Sequence, residues 1–563
     1  MPDIFARRDA DSWTLRLALD ARADLTPEAA FLSFRDGEAV SFGRFRAQVG
    51  AAARWLAAMG VRRGENVALA MPNCPEAIVW WFALNVIGAV DAAINPALVG
   101  EPLAHALRLA RVRRIVASAS MLKPVLAVAP NVPELETFWL VPIEGEDLPA
   151  LPDMRRPAVE IASPAFSDGA GPLPGEDGEQ RAADVATIIY TSGTTGPAKA
   201  VQMTHAQVFV VAELTRQGLW LSGRDTTFCA HPLFHMAARD CGILPCLLTG
   251  GRVALDTRFD PSIWVDRIIA TGATATLMHG PLIEMVHAQP ARPQDRMMQL
   301  TRLGSSPFPR HIAQAFEDRF GVRGIETWGM TEIGIPAWHP VDEPLRPGSC
   351  GKIRDEWYEF RVADPETDRE VPDGTAGEFQ IRPRRPGVIM AGYYGAPEET
   401  LRAQRNLWFH TGDFGHRDAE GWLWFGGRAS DRIRRRAENI SAYDIEYAAN
   451  RCPGIQESAA IGVPSDFADD DDILLCLLVA PEADAPDPLD VMRAMAASLP
   501  HHMLPRYIEI TDEFPRSATG KIRKDLLKRG FDPSRIWDRI ARKVSVRSLY
   551  EEAASEPEQA GTP

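Results

Sequence analysis

Residues 190–200, YTSGTTGPAKA, combine hydroxyl side chains, two glycines and one lysine directly after the apolar run ATII. Glycines let the backbone approach an anion with its N–H groups turned inward, and Ser and Thr hydroxyls add donors. Lys199 adds a positive charge. The Walker pattern has four residues between its glycines and a lysine directly after the second one, whereas Gly193 and Gly196 are separated by two residues. From the residues alone, a phosphate site and a plain Ser/Thr/Gly turn both remain open.

Two other groups of residues have side chains that can bind metal ions. His231 and His235 are four residues apart, as in some zinc sites, but Pro232 disfavours a regular helix there and the glutamate of the H-E-x-x-H motif is absent. The acidic run ADDDD at 468–472 is interpreted as a solvated loop, because consecutive residues do not easily converge on one ion. We expect neither group to hold a metal.

The composition bounds the class of protein. A chain of 563 residues is too long for one hydrophobic core, so two or more domains are expected. The net charge of -15, from 61 basic and 76 acidic side chains, argues against a nucleic-acid binder. The N-terminus has no apolar region of a secretory signal, and the apolar stretch 77–90 predicts a buried helix that is too short to span a bilayer. Seven scattered cysteines indicate reduced thiols in a cytoplasmic protein.

The elements that position these residues follow an α/β rhythm. Residues 42–60 have apolar positions at helical spacing and end at Gly60, whereas ENVALAM and RRIVAS resemble short buried strands. The alternation recurs in RVAL and ATATLM, which predicts layered, largely parallel sheets. Residues 162–182 are interpreted as a surface loop. From about 357 the segments become shorter and strand-like, and a smaller α/β unit is expected after 430.

YTSGTTGPAKA resembles the signature loop of the adenylate-forming (AMP-binding) superfamily, which includes acyl-CoA synthetases, luciferases and peptide-synthetase adenylation domains. Four further segments are similar to that family's motifs and follow in its order: ETWGMTEIG (326–334), WFHTGDFG (408–415), GRASDRIRRRAENISAYDIE (427–446) and PRSATGK (515–521). The resemblance spans roughly residues 25–530 and favours the acyl-CoA synthetase branch. It implies an α/β protein with the adenylate-forming fold, in which layered β-sheets and helices form a large N-terminal domain (1–428). A small mobile C-terminal α/β domain (430–545) and a polar tail (546–563) would follow, with the active site between the two domains.

The resemblance also implies roles for individual residues. Contacts to the β- and γ-phosphates are implied for the loop residues Thr191, Ser192, Gly193, Thr194, Thr195, Gly196 and Lys199. Adenine contacts are implied for Gly304, Ser305, Ser306, Trp328 and Gly329. Thr331 would contact the α-phosphate, Glu332 would bind Mg²⁺, and His235 in PLFH would border the acyl pocket. A core tryptophan and a hydrogen-bonded core histidine remain the alternatives for Trp328 and His235.

The later motifs supply the remaining implied residues. Asp413 would accept both ribose hydroxyls, and Lys521 would contact the substrate carboxylate and the α-phosphate during adenylation only. Further cofactor contacts are implied for Arg428, Arg434 and Asn439 of the hinge motif. Its five arginines would otherwise form a solvated basic face. Two positions depart from the family pattern: Ser430 replaces the usual Asp or Lys of the hinge, and Ala437 replaces a glycine beside the pantetheine channel.

These motifs together predict an AMP-forming acyl-CoA ligase that converts a carboxylate, ATP and CoA into acyl-CoA, AMP and pyrophosphate with the help of Mg²⁺. One alternative is an adenylase that transfers the acyl group to a carrier protein or another acceptor. Another is a nucleotide-binding protein without catalysis, which the joint presence of Glu332, Asp413, Arg428 and Lys521 disfavours. The finer resemblance is to medium-chain or carnitine-type ligases. The acid itself is not readable, and a homodimer is left open.

Overall fold

The computed structural model describes residues 14–151, 157–162, 164, 173–174, 180–191, 198–428, 432–435, 438–465, 471–480, 483–496, 498–517 and 520–549. The described residues form two compact units. The first unit comes from 1–360 and 380–410, and the second comes from 361–379 and 411–563. The sequence predicts a boundary near 428–430 between an N-terminal domain and a C-terminal domain that rotates during catalysis. This boundary stays a prediction.

The strands and helices are numbered here in chain order. The strands are β1 (Ala30–Phe34), β2 (Val40–Ser41), β3 (Asn66–Ala70), β4 (Val90–Ala93), β5 (Arg114–Ala117), β6 (Thr137–Leu140), β7 (Ala158–Ile161), β8 (Val185–Thr191), β9 (Lys199–Thr204), β10 (Thr226–Cys229), β11 (Arg252–Leu255), β12 (Ala275–Met278), β13 (Arg302–Ser305), β14 (Arg323–Met330), β15 (Gly334–Trp338), β16 (Lys352–Ile353), β17 (Tyr358–Ala363), β18 (Gly377–Pro383), β19 (Gly392–Tyr393), β20 (Phe409–Arg417), β21 (Leu423–Arg428), β22 (Arg432–Arg435), β23 (Glu438–Ser441), β24 (Ile455–Pro464), β25 (Asp471–Val479), β26 (Tyr507–Thr511) and β27 (Trp537–Asp538). The α-helices are α1 (Leu15–Leu25), α2 (Phe42–Ala58), α3 (Pro75–Val86), α4 (Gly100–Leu109), α5 (Leu122–Val128), α6 (His205–Gly218), α7 (Met236–Ala238), α8 (Leu244–Thr249), α9 (Trp264–Thr271), α10 (Gly280–His287), α11 (Ala313–Phe320), α12 (Pro397–Ala403), α13 (Ala442–Ala449), α14 (Pro488–Ala496) and α15 (Lys524–Arg529). A π-helical turn (Arg239–Ile243) joins α7 to α8.

The first unit contains two large sheets. One has the strand order β19-β9-β8-β4-β3-β5-β6-β7, in which β8, β4, β3, β5, β6 and β7 are parallel and β9 is antiparallel to both of its neighbours. The other has the order β16-β15-β14-β13-β12-β10-β11-β1-β2, parallel from β14 to β1. Buried side chains such as Ile115 and Phe138 fill the core beside the first sheet, and Ile268, Leu303 and Phe316 fill the core beside the second.

The boundary between the units lies within strands. A third sheet has the order β17-β18-β20-β21, and β17, β18 and β20 each contribute residues to both units. The second unit also holds the sheet β24-β25-β26-β27 and the two-stranded sheet β22-β23. Its core includes Ile445 on α13, Met492 on α14, and Ile473 and Leu475 on β25.

The structure confirms the predicted α/β layering. Ser41 caps α2 by accepting the Arg44 N–H at 3.3 Å, and the chain leaves the helix through Gly60, whose φ of 78° suits a residue without a side chain. The apolar stretch from residue 77 forms most of α3, and its side chains are buried. Within the described ranges, no helix has the length and apolar character needed to cross a membrane. All seven cysteines are buried and none forms a disulfide.

Candidate active site

The carboxyl ends of four neighbouring parallel strands bring several predicted residues to one edge of the nine-stranded sheet. In sheet order, the residues that follow β10, β12, β13 and β14 include His231, His279, Ser306 and Thr331. The register pairs Met278 with Ser305 and Ser305 with Glu326, so these ends lie side by side. In parallel α/β sheets, ligands bind at this edge.

The segment 304–306 forms the end of β13 and the turn after it. The Ser305 hydroxyl is buried and donates to the Pro307 carbonyl at 2.5 Å, while its own carbonyl accepts the Thr327 hydroxyl at 3.2 Å. Gly304 pairs with Leu277 and Ile325 on the neighbouring strands. These bonds fix Gly304, Ser305 and Ser306 beside β14, and their contact with adenine stays a prediction.

Trp328 and Gly329 lie near the end of β14, where a register irregularity interrupts the pairing with β15. Trp328 is buried, and its ring contacts Phe360 edge-on at a centroid distance of 6.1 Å. A Cβ on Gly329 would lie 2.1 Å from the Gly334 carbonyl oxygen, so only glycine fits this close approach of two backbones. Gly329 thus has a packing role in addition to the predicted one.

The turn after β14 carries Thr331 and Glu332, and both side chains are buried. The Gln207 amide on α6 donates to the Thr331 carbonyl at 2.8 Å and to the Glu332 carbonyl at 3.2 Å. The Met390 N–H also donates to the Glu332 carbonyl, at 2.8 Å. Three hydrogen bonds from two donor groups therefore hold the backbone from which the Glu332 carboxylate projects.

A tyrosine that sequence analysis did not identify links two of the predicted residues. The Tyr393 hydroxyl donates to Glu332 Oε1 at 2.9 Å. Lys199 Nζ lies 4.6 Å from the centroid of the Tyr393 ring, which is cation–π geometry. The structure thus assembles a cation and a carboxylate around one aromatic side chain.

The predicted phosphate loop connects β8 to β9. These strands are antiparallel, and the last residue of β8, Thr191, pairs with the first residue of β9, Lys199. The predicted residues Ser192, Gly193, Thr194, Thr195 and Gly196 lie outside the described residues. The described flanks place both ends of the loop next to each other, at the side of the sheet where Tyr393 contacts Lys199.

His235 precedes α7 and caps it. Its Nδ1 accepts the Ala237 N–H at 3.1 Å, so the neutral ring carries its proton on Nε2 and presents a donor there. The centroid of the His279 ring lies 6.0 Å from that of the His235 ring and 4.9 Å from that of the His231 ring. Within the described part of the chain, no group of three or more His, Cys, Asp or Glu residues is arranged to hold a metal ion.

A small cavity adjoins this histidine cluster (His231, His235 and His279). His231 forms part of its wall, and the rest of the wall is mainly apolar and aromatic: Phe228, Phe259, Trp264, Leu277, Met278 and Leu282. Burial lowers the pKa of His231 to about 4, so this ring is neutral at physiological pH. His231 therefore offers a neutral hydrogen-bonding group beside an apolar surface.

The pKa of His231 predicts a pH-dependent contribution to stability. Between pH 6.5 and about 4 the unfolded chain binds a proton at this ring that the folded chain does not, so the free energy of unfolding falls as pH falls. The expected slope reaches about 1.4 kcal/mol per pH unit. Burial raises the pKa of Asp240 and of Glu326 to about 8. The contribution of these two carboxyl groups to the free energy of unfolding therefore rises as pH falls, opposite to that of His231.

Because the carboxyl groups oppose His231, its contribution is measured as the difference in pH dependence between the wild type and a variant without this imidazole. Urea unfolding of the wild type and of His231→Asn at pH 7.0, 6.0 and 5.0 should show a smaller loss of unfolding free energy in the variant. The same substitution at the exposed His501 serves as the control. If the free energy of unfolding depends on pH equally in the wild type and in His231→Asn, the predicted contribution of His231 to stability is wrong.

A buried ion pair ties the segment after His235 to the first sheet. Arg239 in the π-helical turn pairs with Asp91 on β4, and the Thr187 hydroxyl on β8 donates to Asp91 Oδ2 at 2.9 Å. The Arg239 guanidinium also lies over the Trp81 ring, 4.8 Å from its centroid. Removing one partner of such a pair leaves a buried charge uncompensated. This network therefore links the histidine segment to β8, the strand that leads into the phosphate loop.

In the second unit, Asp413 lies on β20 and is 2 % exposed. Its N–H donates to the Thr411 hydroxyl at 3.0 Å, which in turn donates to the Phe379 carbonyl at 2.6 Å. The Gly412 N–H donates to Glu378 Oε1 at 3.1 Å. The TGD segment is therefore held by side-chain bonds within this unit.

The other predicted residues of the second unit lie further along the chain. Arg428 pairs with Asp413 in the register of β20 and β21, and Arg434 pairs with Asn439 in that of β22 and β23. Only the backbones of Arg428, Arg434 and Asn439 belong to the described part. Ser430 and Ala437 lie outside it, so the predicted effects of these two departures on the hinge and the pantetheine channel stay predictions.

Lys521 lies at the end of a closed turn and is exposed. Its N–H donates to the Ser517 hydroxyl at 3.2 Å, and the Ser517 N–H donates to the Lys521 carbonyl at 2.8 Å. Arg516 donates to the Gly520 carbonyl at 2.9 Å and pairs with the buried Glu457 on β24. The backbone of Lys521 is thus anchored to the second unit.

The structure brings Lys199, Glu332 and Thr331 together with the end of β13, and it places Asp413 and Lys521 in the second unit. Sequence analysis missed Tyr393 and Gln207. The only signal for Tyr393 was the segment AGYYGAPEET, whose Gly-Tyr pair marks a turn into a short strand.

Known proteins resemble this chain over nearly its whole length. Over 534 residues it is 29% identical to the crotonobetaine/carnitine–CoA ligase of Salmonella typhi, covering 91% of this chain and 98% of that protein. The anthranilate CoA ligase AuaEII in complex with anthranoyl-AMP has a TM-score of 0.81 at 23% identity, covering 92% of this chain and 97% of that one. ATP-bound MatB from Rhodopseudomonas palustris has a TM-score of 0.78 at 24% identity, covering 92% and 99%. These two structures confirm the predicted fold.

Family profiles cover the segments that carry the motifs. Residues 19–394 match the AMP-binding enzyme family, and residues 444–521 match the C-terminal domain of AMP-binding enzymes. The first match includes the strands that lead into the phosphate loop and the turn with Glu332, and the second ends at Lys521. The chain therefore belongs to the AMP-binding enzyme family.

Proposed function

We propose that the protein is an AMP-forming acyl-CoA ligase, which joins a carboxylic acid to CoA through an acyl adenylate. The observation that carries this proposal is the assembly of Lys199 and Glu332 around Tyr393 at the start of β9, next to the phosphate loop. Membership of the AMP-binding enzyme family supports it. So does the similarity to the crotonobetaine/carnitine–CoA ligase of Salmonella typhi.

In the first step a carboxylate oxygen attacks the α-phosphorus of ATP, the bond to the β-phosphate breaks, and pyrophosphate leaves. Two anions meet in this step, so the main catalytic needs are alignment and charge neutralisation. We assign Lys199 and the loop 191–199 to the β- and γ-phosphates, and Thr331 to the α-phosphate. Lys521 would offset the charge of the carboxylate and the α-phosphate as they approach each other.

In the second step the CoA thiolate attacks the acyl carbonyl, and AMP leaves. Here the acyl group must stay in place while the nucleotide becomes the leaving group. We assign this orientation to His235, whose Nδ1 accepts the Ala237 N–H, so that the neutral ring carries its proton on Nε2. Asp413 would hold the ribose in both steps through its two carboxylate oxygens.

The donor set at Glu332 fits magnesium. Mg²⁺ in nucleotide sites binds one or two carboxylates together with phosphate oxygens and water. Glu332 supplies one carboxylate, and three hydrogen bonds fix the backbone that carries it. When bound, the ion would neutralise part of the phosphate charge. The proposed substrates are ATP, CoA and a small-molecule carboxylic acid. A cytoplasmic location stays a prediction, and a homodimer stays open.

The acceptor is the part of the proposal with a specific alternative. Ala437 departs from the family pattern, which implies a glycine beside the pantetheine channel, so a carrier protein or another acceptor is tested against CoA. An assay of pyrophosphate release with and without CoA also distinguishes the CoA ligase and the adenylase with another acceptor from a nucleotide-binding protein without catalysis.

The test is a panel of aliphatic, hydroxylated and aromatic carboxylic acids, assayed for pyrophosphate release from ATP with and without CoA. The proposal expects pyrophosphate with at least one acid and a thioester only when CoA is added. Pyrophosphate without any thioester would favour another acceptor. Tight ATP binding without pyrophosphate from any acid would reject the ligase.

A further inference from the structure

We propose that Tyr393 is a positioning residue that holds Glu332 and Lys199 in the arrangement needed to bind the magnesium complex of ATP. The proposal rests on the proposed function, because it takes Glu332 as the metal-binding carboxylate and Lys199 as a phosphate-binding cation. It adds a residue that none of the motifs contains and assigns it a task that can be measured separately from fold stability.

The hydroxyl of Tyr393 acts on Glu332. It donates to Glu332 Oε1 at 2.9 Å. Both residues are buried: Tyr393 is 7% exposed and Glu332 is 4% exposed. A hydrogen bond to a charged acceptor is stronger than one between neutral groups and limits the rotation of the carboxylate.

The ring of Tyr393 acts on Lys199. The ammonium nitrogen lies 4.6 Å from the ring centroid, within the range of cation–π attraction. This contact restrains a long, flexible side chain without removing its charge, so the ammonium can still attract a phosphate. One side chain thus orients a cation with its face and an anion with its hydroxyl.

Tyr393 can impose this geometry because its own backbone is held at several points. It forms β19 with Gly392, and it pairs with Val201 on β9, the strand that begins at Lys199. Its N–H donates to the Thr400 hydroxyl on α12 at 2.9 Å. Three residues earlier, the Met390 N–H donates to the Glu332 carbonyl at 2.8 Å. The segment 390–393 is therefore bonded both to the strand of Lys199 and to the turn of Glu332.

Tyr393→Phe removes only the hydroxyl and keeps the ring over Lys199. We expect the affinity for Mg·ATP to fall about 10-fold, the low end of the effect of losing a hydrogen bond to a charged group. Affinity for ATP in the presence of EDTA should change little, because the lost bond acts through Glu332. Tyr393→Leu also removes the ring and should weaken binding of both forms. The matched control is Tyr394→Phe, the same change at the next residue, which should behave as wild type.

The experiment combines calorimetric titration of Mg·ATP and of ATP with EDTA, in the absence of acid, with a Mg²⁺ titration of pyrophosphate release. The half-saturating Mg²⁺ concentration should rise in Tyr393→Phe and not in Tyr394→Phe. This quantity does not depend on the fraction of folded enzyme, so partial misfolding leaves it interpretable. Thioester formation from supplied acyl adenylate and CoA should be unchanged.

The outcomes separate this proposal from the proposed function. Wild-type pyrophosphate release with identical Mg²⁺ dependence in Tyr393→Phe and wild type would overturn the positioning role and leave the ligase standing. Equal losses in both half-reactions would also overturn it, because they indicate a structural role. A wild-type protein that releases no pyrophosphate and binds Mg·ATP no better than ATP with EDTA would overturn both.

Discussion

Replacing Lys521 by alanine is expected to slow the ATP-dependent half-reaction about 10²–10³-fold, by analogy with the loss of one oxyanion donor. The ammonium would offset the repulsion between the substrate carboxylate and the α-phosphate, and a positioned charge has its largest effect at that moment. Bonds to Ser517 hold the backbone of Lys521, while its side chain is exposed, so the substitution should not unfold the second unit.

The second half-reaction is expected to survive this change, because it needs no charge between two approaching anions. Both half-reactions are therefore measured separately on wild type, Lys521→Ala and the control Lys528→Ala, which removes an exposed lysine on α15. Acetylation of Lys521 removes the same charge and should act like the substitution. Equal losses in both half-reactions would mean that Lys521 is structural, and would reject its use in one step only.

Replacing Asp413 by alanine should weaken ATP binding about 10- to 150-fold, the range for losing a hydrogen bond to a charged group. Both proposed ribose acceptors belong to this one carboxylate, and its backbone is fixed by Thr411. Asp413→Asn keeps the shape and one acceptor oxygen, so it should fall between wild type and alanine. Titration of ATP, with thermal unfolding as the check on folding, measures this order. An unchanged affinity in Asp413→Ala would exclude the ribose role.

Local sequence patterns predicted several elements of the fold. The apolar run ATATLM, which contains β12, and the helical spacing of α2 specify their structures within the segment itself, so both were readable. The ordered motifs likewise identified Glu332 and Lys199 as candidates. In each case the information lies within a short stretch of chain.

Features that depend on contacts between distant segments could not be read in this way. Tyr393 is 61 residues from Glu332 in sequence, and only the pairing of β19 with β9 brings its ring to Lys199. His279 likewise approaches His231 because β12 and β10 are neighbours in the sheet. The inclusion of residues 361–379 in the second unit also follows from tertiary contacts rather than from a composition change.

The most direct test of the central claim follows the carboxylate oxygen. A carboxylic acid that supports pyrophosphate release is labelled with a heavy oxygen isotope at both carboxyl oxygens, and the products are analysed by mass spectrometry. Attack on the α-phosphorus predicts one labelled oxygen in AMP, the other in the thioester and none in pyrophosphate. Label in orthophosphate together with ADP, or no label in AMP, would contradict an acyl-adenylate mechanism.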